Sequence, residues 1–261
     1  LADRSFPILD QPDIGGVLFH PRPEFGGFGG GRGQSVSVAV APDCRLGGRL
    51  YAADPGAPVV LYFHGNGEIA ADYTDIATLY AGIGLTLLVV DFRGYGRSDG
   101  TPSASAMIAD AVATYEALPE ILAASGTEAG ALYVMGRSLG SAAAVAVAQR
   151  AGAEIGGLIL ESGFSDTFGL IARIGGPSLD GVTEQREGFD NAGILETLAV
   201  PTLVIHGRED RIIPVDDGRE LYRRAGTLNK RIVEIPRAGH NDLLLVDPKT
   251  YFQAIRDLVD G

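Results

Sequence analysis

From residue 35 onward, short β-branched or apolar runs alternate with longer helical stretches, the pattern of a parallel sheet whose strands are joined by crossover helices. The strand candidates are Val36 to Val40, Leu50 to Ala52, Val59 to Phe63, Leu85 to Asp91, Leu132 to Gly136, Leu158 to Glu161, Leu203 to His206 and Ile232 to Ile235. Most of the later ones are nearly continuous apolar runs, as strands covered on both faces require. Helical stretches over about 70–81, 104–123, 139–150, 216–225 and 247–259 have lengths suited to right-handed crossovers or to a terminal docking helix. A chain of 261 residues, 46% hydrophobic, can bury the core that such a sheet needs, so 35–261 reads as one α/β domain. The expected architecture is an eight-stranded, mostly parallel sheet with helices on both faces.

Two stretches depart from the alternation. Residues 1–34 read as an arm packed on or near the domain, interrupted by Pro7, Pro12, Pro21 and Pro23, with six glycines between Gly26 and Gly33. That cluster fits no G-x-G-x-x-G register and no Gly-Lys-Ser/Thr follows it, so it reads as a flexible surface loop rather than a phosphate cradle. Residues 162–190 are glycine-rich, with Pro177 and scattered Phe164, Phe168, Ile171 and Ile174. A loop of that length inside a compact fold is commonly a lid or binding loop, and here it reads as a small cap whose apolar residues either wall an acyl site or pack the cap onto the sheet.

Composition removes several classes of function. Lys and Arg number 21 against 33 Asp and Glu, a net charge of -12 that repels nucleic-acid phosphates and anionic lipid. One cysteine, Cys44, excludes a disulfide framework, and four histidines leave little material for a metal cage, so neither metal nor cofactor is expected. The apolar stretch Leu139 to Ala148 is too short to cross a bilayer, and Asp3 and Arg4 stand where an apolar leader would, so a cytoplasmic chain acting on a small molecule is the expectation. Oligomeric state leaves no trace in the sequence.

The chemistry concentrates at Gly136-Arg137-Ser138-Leu139-Gly140, between the strand ending at Met135 and a small-residue helix. A strand that turns sharply into a helix needs small residues on both sides of the turn, which then lifts the serine hydroxyl out at the sheet's carboxyl edge. A serine hydroxyl is a poor nucleophile without a base, ideally an imidazole held by a carboxylate. Downstream, Asp210 follows the strand ending at His206, and His240 lies in A-G-H-N-D after the last strand. Glu161, at the end of the sixth strand, is a competing acid, and Glu209 is adjacent to Asp210.

These motifs resemble those of α/β-hydrolase-fold serine hydrolases. The similarity is greatest to the serine aminopeptidase and lysophospholipase-like branch, with His64-Gly65-Asn66-Gly67 after the third strand, Asp91 to Ser98 after the fourth and Gly136 to Gly140 at the elbow. The resemblance runs from about Val36 to the end. It implies an acyl-serine mechanism on esters, thioesters or amides, with Ser138 as nucleophile, His240 as base and Asp210, in D-R-I-I-P before a helix, as acid. It also implies an oxyanion hole made by the backbone N–H of Leu139 and that of Asn66, or of Gly67 if the loop is turned by one residue. Phe164, Phe168 and Ile171 are the candidate substrate contacts.

The remaining polar residues read as structural. His64 and His206 sit at strand ends, His20 has no acid or nucleophile partner, Arg93 and Asp99 brace the fourth loop, and Arg137, beside Ser138, either makes an ion pair that fixes the elbow or binds an anionic group. An acyltransferase or a peptidase would use the same triad. A catalytically idle fold serving as a binding module is the reading from another class, but such proteins usually lose a triad member and all three are present.

Overall fold

The computed structural model describes residues 4–25 and 33–261; of the glycine cluster expected to be a flexible loop, all but Gly33 lies outside the described residues. The elements run α1 (Pro12–Leu18), β1 (Gln34–Ala41), β2 (Cys44–Tyr51), β3 (Val59–Phe63), α2 (Thr74–Gly82), β4 (Thr86–Val90), α3 (Ala104–Ala124), β5 (Leu132–Arg137), α4 (Gly140–Ala151), β6 (Gly157–Glu161), α5 (Thr167–Arg173), α6 (Asn191–Glu196), β7 (Thr202–Gly207), α7 (Val215–Arg224), β8 (Lys230–Ile235), α8 (Leu243–Val246) and α9 (Pro248–Val259). Eight strands form one sheet in the order β1-β2-β4-β3-β5-β6-β7-β8. The pairs β1–β2 and β2–β4 are antiparallel and the others parallel.

Side-chain alternation along the strands explains the continuous apolar runs. Val59, Leu61 and Phe63 of β3 face one core, with Leu88 and Val90 of β4 and Val134 of β5, against α3 and α4. Val60, Tyr62, Leu87, Val89 and Met135 face the other, against Tyr80 of α2 and Tyr251 and Ile255 of α9. A strand buried on both faces has no polar phase, so its interior is apolar, and the buried polar residues Thr86, Arg137, Glu161, Thr202 and His206 fall at or next to strand ends.

The strand order reverses at β3, whose two neighbours are β4 and β5. In open α/β sheets the crevice at such a reversal, outside the strands' carboxyl ends, is where ligands bind. Here it brings the loop after β3 beside the turn after β5, with Phe63 opposite Gly136 in register.

Two expectations are corrected. The second strand begins at Cys44, not Leu50, because its glycines, which resemble turn residues, permit close approach: a Cβ on Gly48 would crowd the Val89 carbonyl at 2.6 Å, and one on Gly47 the Arg97 side chain at 2.9 Å. The stretch 70–81 is a 3₁₀ turn, Ala70–Tyr73, followed by α2.

Within the arm, Pro12 does not break the chain but opens α1 at its first position, where a missing N–H costs nothing. Phe6, Leu9, Ile14, Leu18 and Phe19 of this arm are all buried in the α3–α4 core. The Phe6 ring lies 5.2 Å from Phe189, which lies 5.9 Å from Phe164, so the arm and the segment after β6 share one aromatic cluster. Phe6→Ala should therefore cost about 3–5 kcal/mol, read as a lowered urea midpoint; a loss below about 0.5 kcal/mol, typical of surface positions, would show that the arm is detachable.

Candidate active site

Between β5 and α4 the chain reverses through Ser138, whose φ is 51°, the left-handed region that a residue with a Cβ avoids. Three hydrogen bonds hold the turn: Ser138 N–H donates to the Glu161 carbonyl at 2.9 Å, and the Ser138 carbonyl accepts from Ser141 N–H at 3.0 Å and Ser141 Oγ at 2.7 Å. The flanking glycines are obligatory for space. A Cβ on Gly136 would overlap the Gly140 carbonyl, and one on Gly140 would overlap the Phe63 carbonyl at the end of β3. A left-handed serine costs about 1–3 kcal/mol, and the turn aims its hydroxyl toward the loop after β8.

There His240 Nε2 lies 3.0 Å from Ser138 Oγ, and His240 Nδ1 lies 2.7 Å from Asp210 Oδ2. An ionised carboxylate only accepts, so Nδ1 carries the ring proton and Nε2 is left to accept from the serine hydroxyl. Asp210 is held in turn by the N–H groups of Ile212 and Ile213, both 2.9 Å from Oδ1. His206 Nε2 sits 2.8 Å from the Ile213 carbonyl and 3.4 Å from Asp210 Oδ2, so this histidine braces the acid loop. Burial acts to raise the Asp210 carboxyl, but hydrogen bonds from His206 and His240 outweigh it and hold the group well below the usual aspartate range.

Asn66 and Leu139 both line the cavity beside Ser138, whereas Gly67 does not. The Asn66 side chain is clamped from the arm: its Oδ1 accepts from His20 N–H and from the Tyr95 hydroxyl, each at 2.8 Å, and its Nδ2 lies 2.7 Å from His20 Nδ1. His20, read from sequence as lacking a catalytic partner, is a brace for this loop. The cavity, about 210 Å³, is walled by Leu18 of the arm, Leu170 and Ile174 of the cap, and Ile212 of the acid loop, with Arg137 and Asn241 completing it.

The expected substrate contacts Phe164, Phe168 and Ile171 do not line this cavity. Phe164 and Ile171 are fully buried, and Phe168 packs against the same core. Leu170 and Ile174 are four residues apart and share the helix face that meets the cavity, whereas Ile171, one residue on, points about 100° away into the core. Glu161 does not approach His240 as the competing acid would; its carboxylate accepts from Tyr251 and Arg137. His64 Nδ1 lies 2.8 Å from the Gly65 carbonyl, Arg93 makes a two-pronged pair with Asp110, and Asp99 accepts from Arg45 N–H. Leu18, Leu170, Ile212 and Asn241 escaped the sequence reading. The neighbours of Asp210 and His240 in the chain could have suggested the last two, but no local signal marks Leu18.

The sequence model of the family described as serine aminopeptidase, S33, matches residues 54–168 and 173–248. This chain belongs to that family. An uncharacterized Mycobacterium tuberculosis relative, Rv2307c, is 34% identical over 230 residues, covering 86% of this chain and 78% of the relative. The bem46 protein of Schizosaccharomyces pombe is 30% identical over 207 residues, covering 77% and 67%. Among solved structures, the esterase Pf2001 of Pyrococcus furiosus superposes with a TM-score of 0.73 at 19% identity, covering 93% of this chain and 97% of that one. The fold of this S33 member is that of the α/β-hydrolases. Among its described residues, no helix is long and apolar enough to cross a membrane, and no cluster of three or more His, Cys, Asp or Glu could hold a metal ion.

Because the folded-state pKa of Asp210 lies below its unfolded value, the ionised carboxylate contributes fully to stability above the ordinary aspartate range, near pH 4, and progressively less as pH falls through the depressed folded value. Asp210→Asn should thus be less stable than the parent at neutral pH by a margin that shrinks below about pH 4. Urea unfolding of both proteins across that range measures it, and a margin independent of pH would contradict the assigned charge state.

Proposed function

We propose that this protein is a serine hydrolase that cleaves a carboxylic ester, thioester or related acyl bond through an acyl-serine intermediate. The observation that carries the reading is the hydrogen-bonded series Ser138–His240–Asp210 opening into an apolar cavity. Ser138 Oγ attacks the acyl carbon as His240 Nε2 takes its proton; Asp210 holds the tautomer and stabilises the imidazolium. The negative oxygen of the tetrahedral intermediate is held by the N–H groups of Asn66 and Leu139, each worth about 3 kcal/mol. His240 then returns the proton to the leaving group, and the same ring activates the water that releases the acid.

The lining of the cavity favours an uncharged acyl group over a free amino terminus. An aminopeptidase must offer its substrate's ammonium a negative partner. Among the described residues lining this cavity there is no carboxylate: Leu18, Leu170, Ile174 and Ile212 form its walls, and its charged residue is the cation Arg137. The esterase description of the Pyrococcus furiosus protein agrees with this reading, whereas the family name agrees with a peptidase.

A small fluorophosphonate tests the nucleophile without knowledge of the substrate. Wild-type protein should gain the mass of one adduct, and Ser138→Ala should gain none, lose at least about 10⁴-fold in kcat on a neutral aryl ester and keep its Tm. Equal labelling of the variant, or a folded wild type that is never labelled and turns over no ester, would overturn the reading.

A further inference from the structure

Arg137 precedes the nucleophile, and its buried side chain reaches the end of β6 and two loops at once. Nη2 donates to the His240 carbonyl at 2.8 Å and to Asn241 Oδ1 at 2.7 Å, Nε donates to Glu161 Oε1 at 3.2 Å, and Nη1 donates to Glu68 Oε1. Glu68 carries the contact onward, because its other oxygen accepts from Gly65 N–H at 2.7 Å and from the Tyr73 hydroxyl at 2.6 Å. Gly65 opens the turn that presents Asn66, and a Cβ there would sit 2.6 Å from Arg137 Nη1. Glu161 is fixed from the far side by the Tyr251 hydroxyl at 2.7 Å.

We propose that Arg137 is a positioning residue for the acyl-transfer reaction, a guanidinium staple that sets the His240 loop and the Asn66 turn against Ser138; the proposal rests on the hydrolase reading above. His240 is bound by its ring to Asp210 and by its backbone carbonyl to Arg137, so the imidazole is located from both ends. The planar fork suits this role because its donors lie in fixed directions and reach four acceptors on two loops and the end of β6, whereas an ammonium is a point charge with rotatable donors. Burial disfavours the guanidinium, but Glu68 and Glu161 flank it and hold its proton firmly. The competing role for a cation at the rim of the cavity is capture of an anionic substrate. The four acceptors already engaged leave the guanidinium little free donor capacity for that.

The experiment compares wild type, Arg137→Gln, Arg137→Lys, Asn241→Ala and the Arg137→Gln/Asn241→Ala double variant. For each, near-UV circular dichroism and Tm report the fold, the rate of fluorophosphonate adduct formation reports the site, and kcat and KM are measured on a neutral ester and an anionic hemiester. Supporting partners of a reacting group typically contribute 10–100-fold, and small displacements of reacting atoms have similar effects. Arg137→Gln should accordingly slow labelling and lower kcat about 10–100-fold on both esters with KM within about threefold, and Arg137→Lys should recover part of that loss. The double variant should be no slower than Arg137→Gln alone, because both substitutions cut the same connection.

Wild-type labelling in Arg137→Gln, or a rise in KM confined to the anionic ester, would overturn the proposal. Removing one partner from a buried charge cluster can unfold a protein. If Arg137→Gln does not fold, Asn241→Ala, an exposed side chain that loses one of the staple's contacts, decides: slower labelling at unchanged Tm supports the role, and an unchanged rate overturns it. A folded wild type that forms no adduct removes the hydrolase reading and this proposal with it, whereas a labelled wild type with undiminished variants removes only the role of Arg137.

Discussion

The site depends on one strained turn. Ser138 is held in the left-handed region between a strand and a helix, and the strain is supportable because two glycines let three backbones approach more closely than any side chain would allow. The Gly140 backbone lies against the end of β3, so the elbow and the Asn66 loop cannot move independently. The Glu161 carbonyl, which receives the Ser138 N–H, ties the same turn to β6. The helix N-terminus and the Ser138 backbone are thus fixed against the ends of β3 and β6 by packing and a backbone hydrogen bond, and side-chain bonds from His20, Tyr95 and His240 complete the arrangement.

Much of this was legible because it obeys local rules. Strands buried on both faces have no alternation to disguise them, and Gly136, Ser138 and Gly140 announce a strand-to-helix turn by their size alone. The choice between Asp210 and Glu161 was harder, since both sit at or just beyond the ends of adjacent strands. What separates them is the direction of the side chain. Asp210 lies in a turn whose Ile212 and Ile213 N–H groups hold one carboxylate oxygen and leave the other for His240, while the Glu161 carboxylate is occupied by Arg137 and Tyr251.

What was not legible was set by contacts distant in the chain. Phe6 is buried because Phe189 is there to cover it, and nothing near Phe6 in sequence says so. Prolines in the arm read as interruptions, yet Pro12 begins a helix, and the glycines of β2 read as a turn although neighbouring backbone requires them in a strand. Of the cap's apolar residues, Phe164, Phe168, Ile171 and Ile174 were identified without their roles and Leu170 was missed: a helix of seven residues turns Leu170 toward the cavity and Ile171 away from it, a distinction of one position that composition cannot make.

These two kinds of residue divide the work of the site. Ser138, His240, Asp210 and the loop amides come from turns at the carboxyl end of the sheet, where register and packing dictate position. The walls come from Leu18, Leu170 and Ile174, on an arm and a cap whose sequences carry little periodic signal. A change at Leu18 or Leu170 alters the space beside Ser138 without touching the elbow, whereas a change at Gly136 or Gly140 disturbs the Ser138 turn and, through Phe63, the Asn66 loop. His20 joins the two, since it lies on the arm but clamps the Asn66 loop. The same short segment therefore both shapes the cavity, through Leu18, and holds the Asn66 loop beside it, through His20, so a displacement of the arm reaches the wall and the loop together.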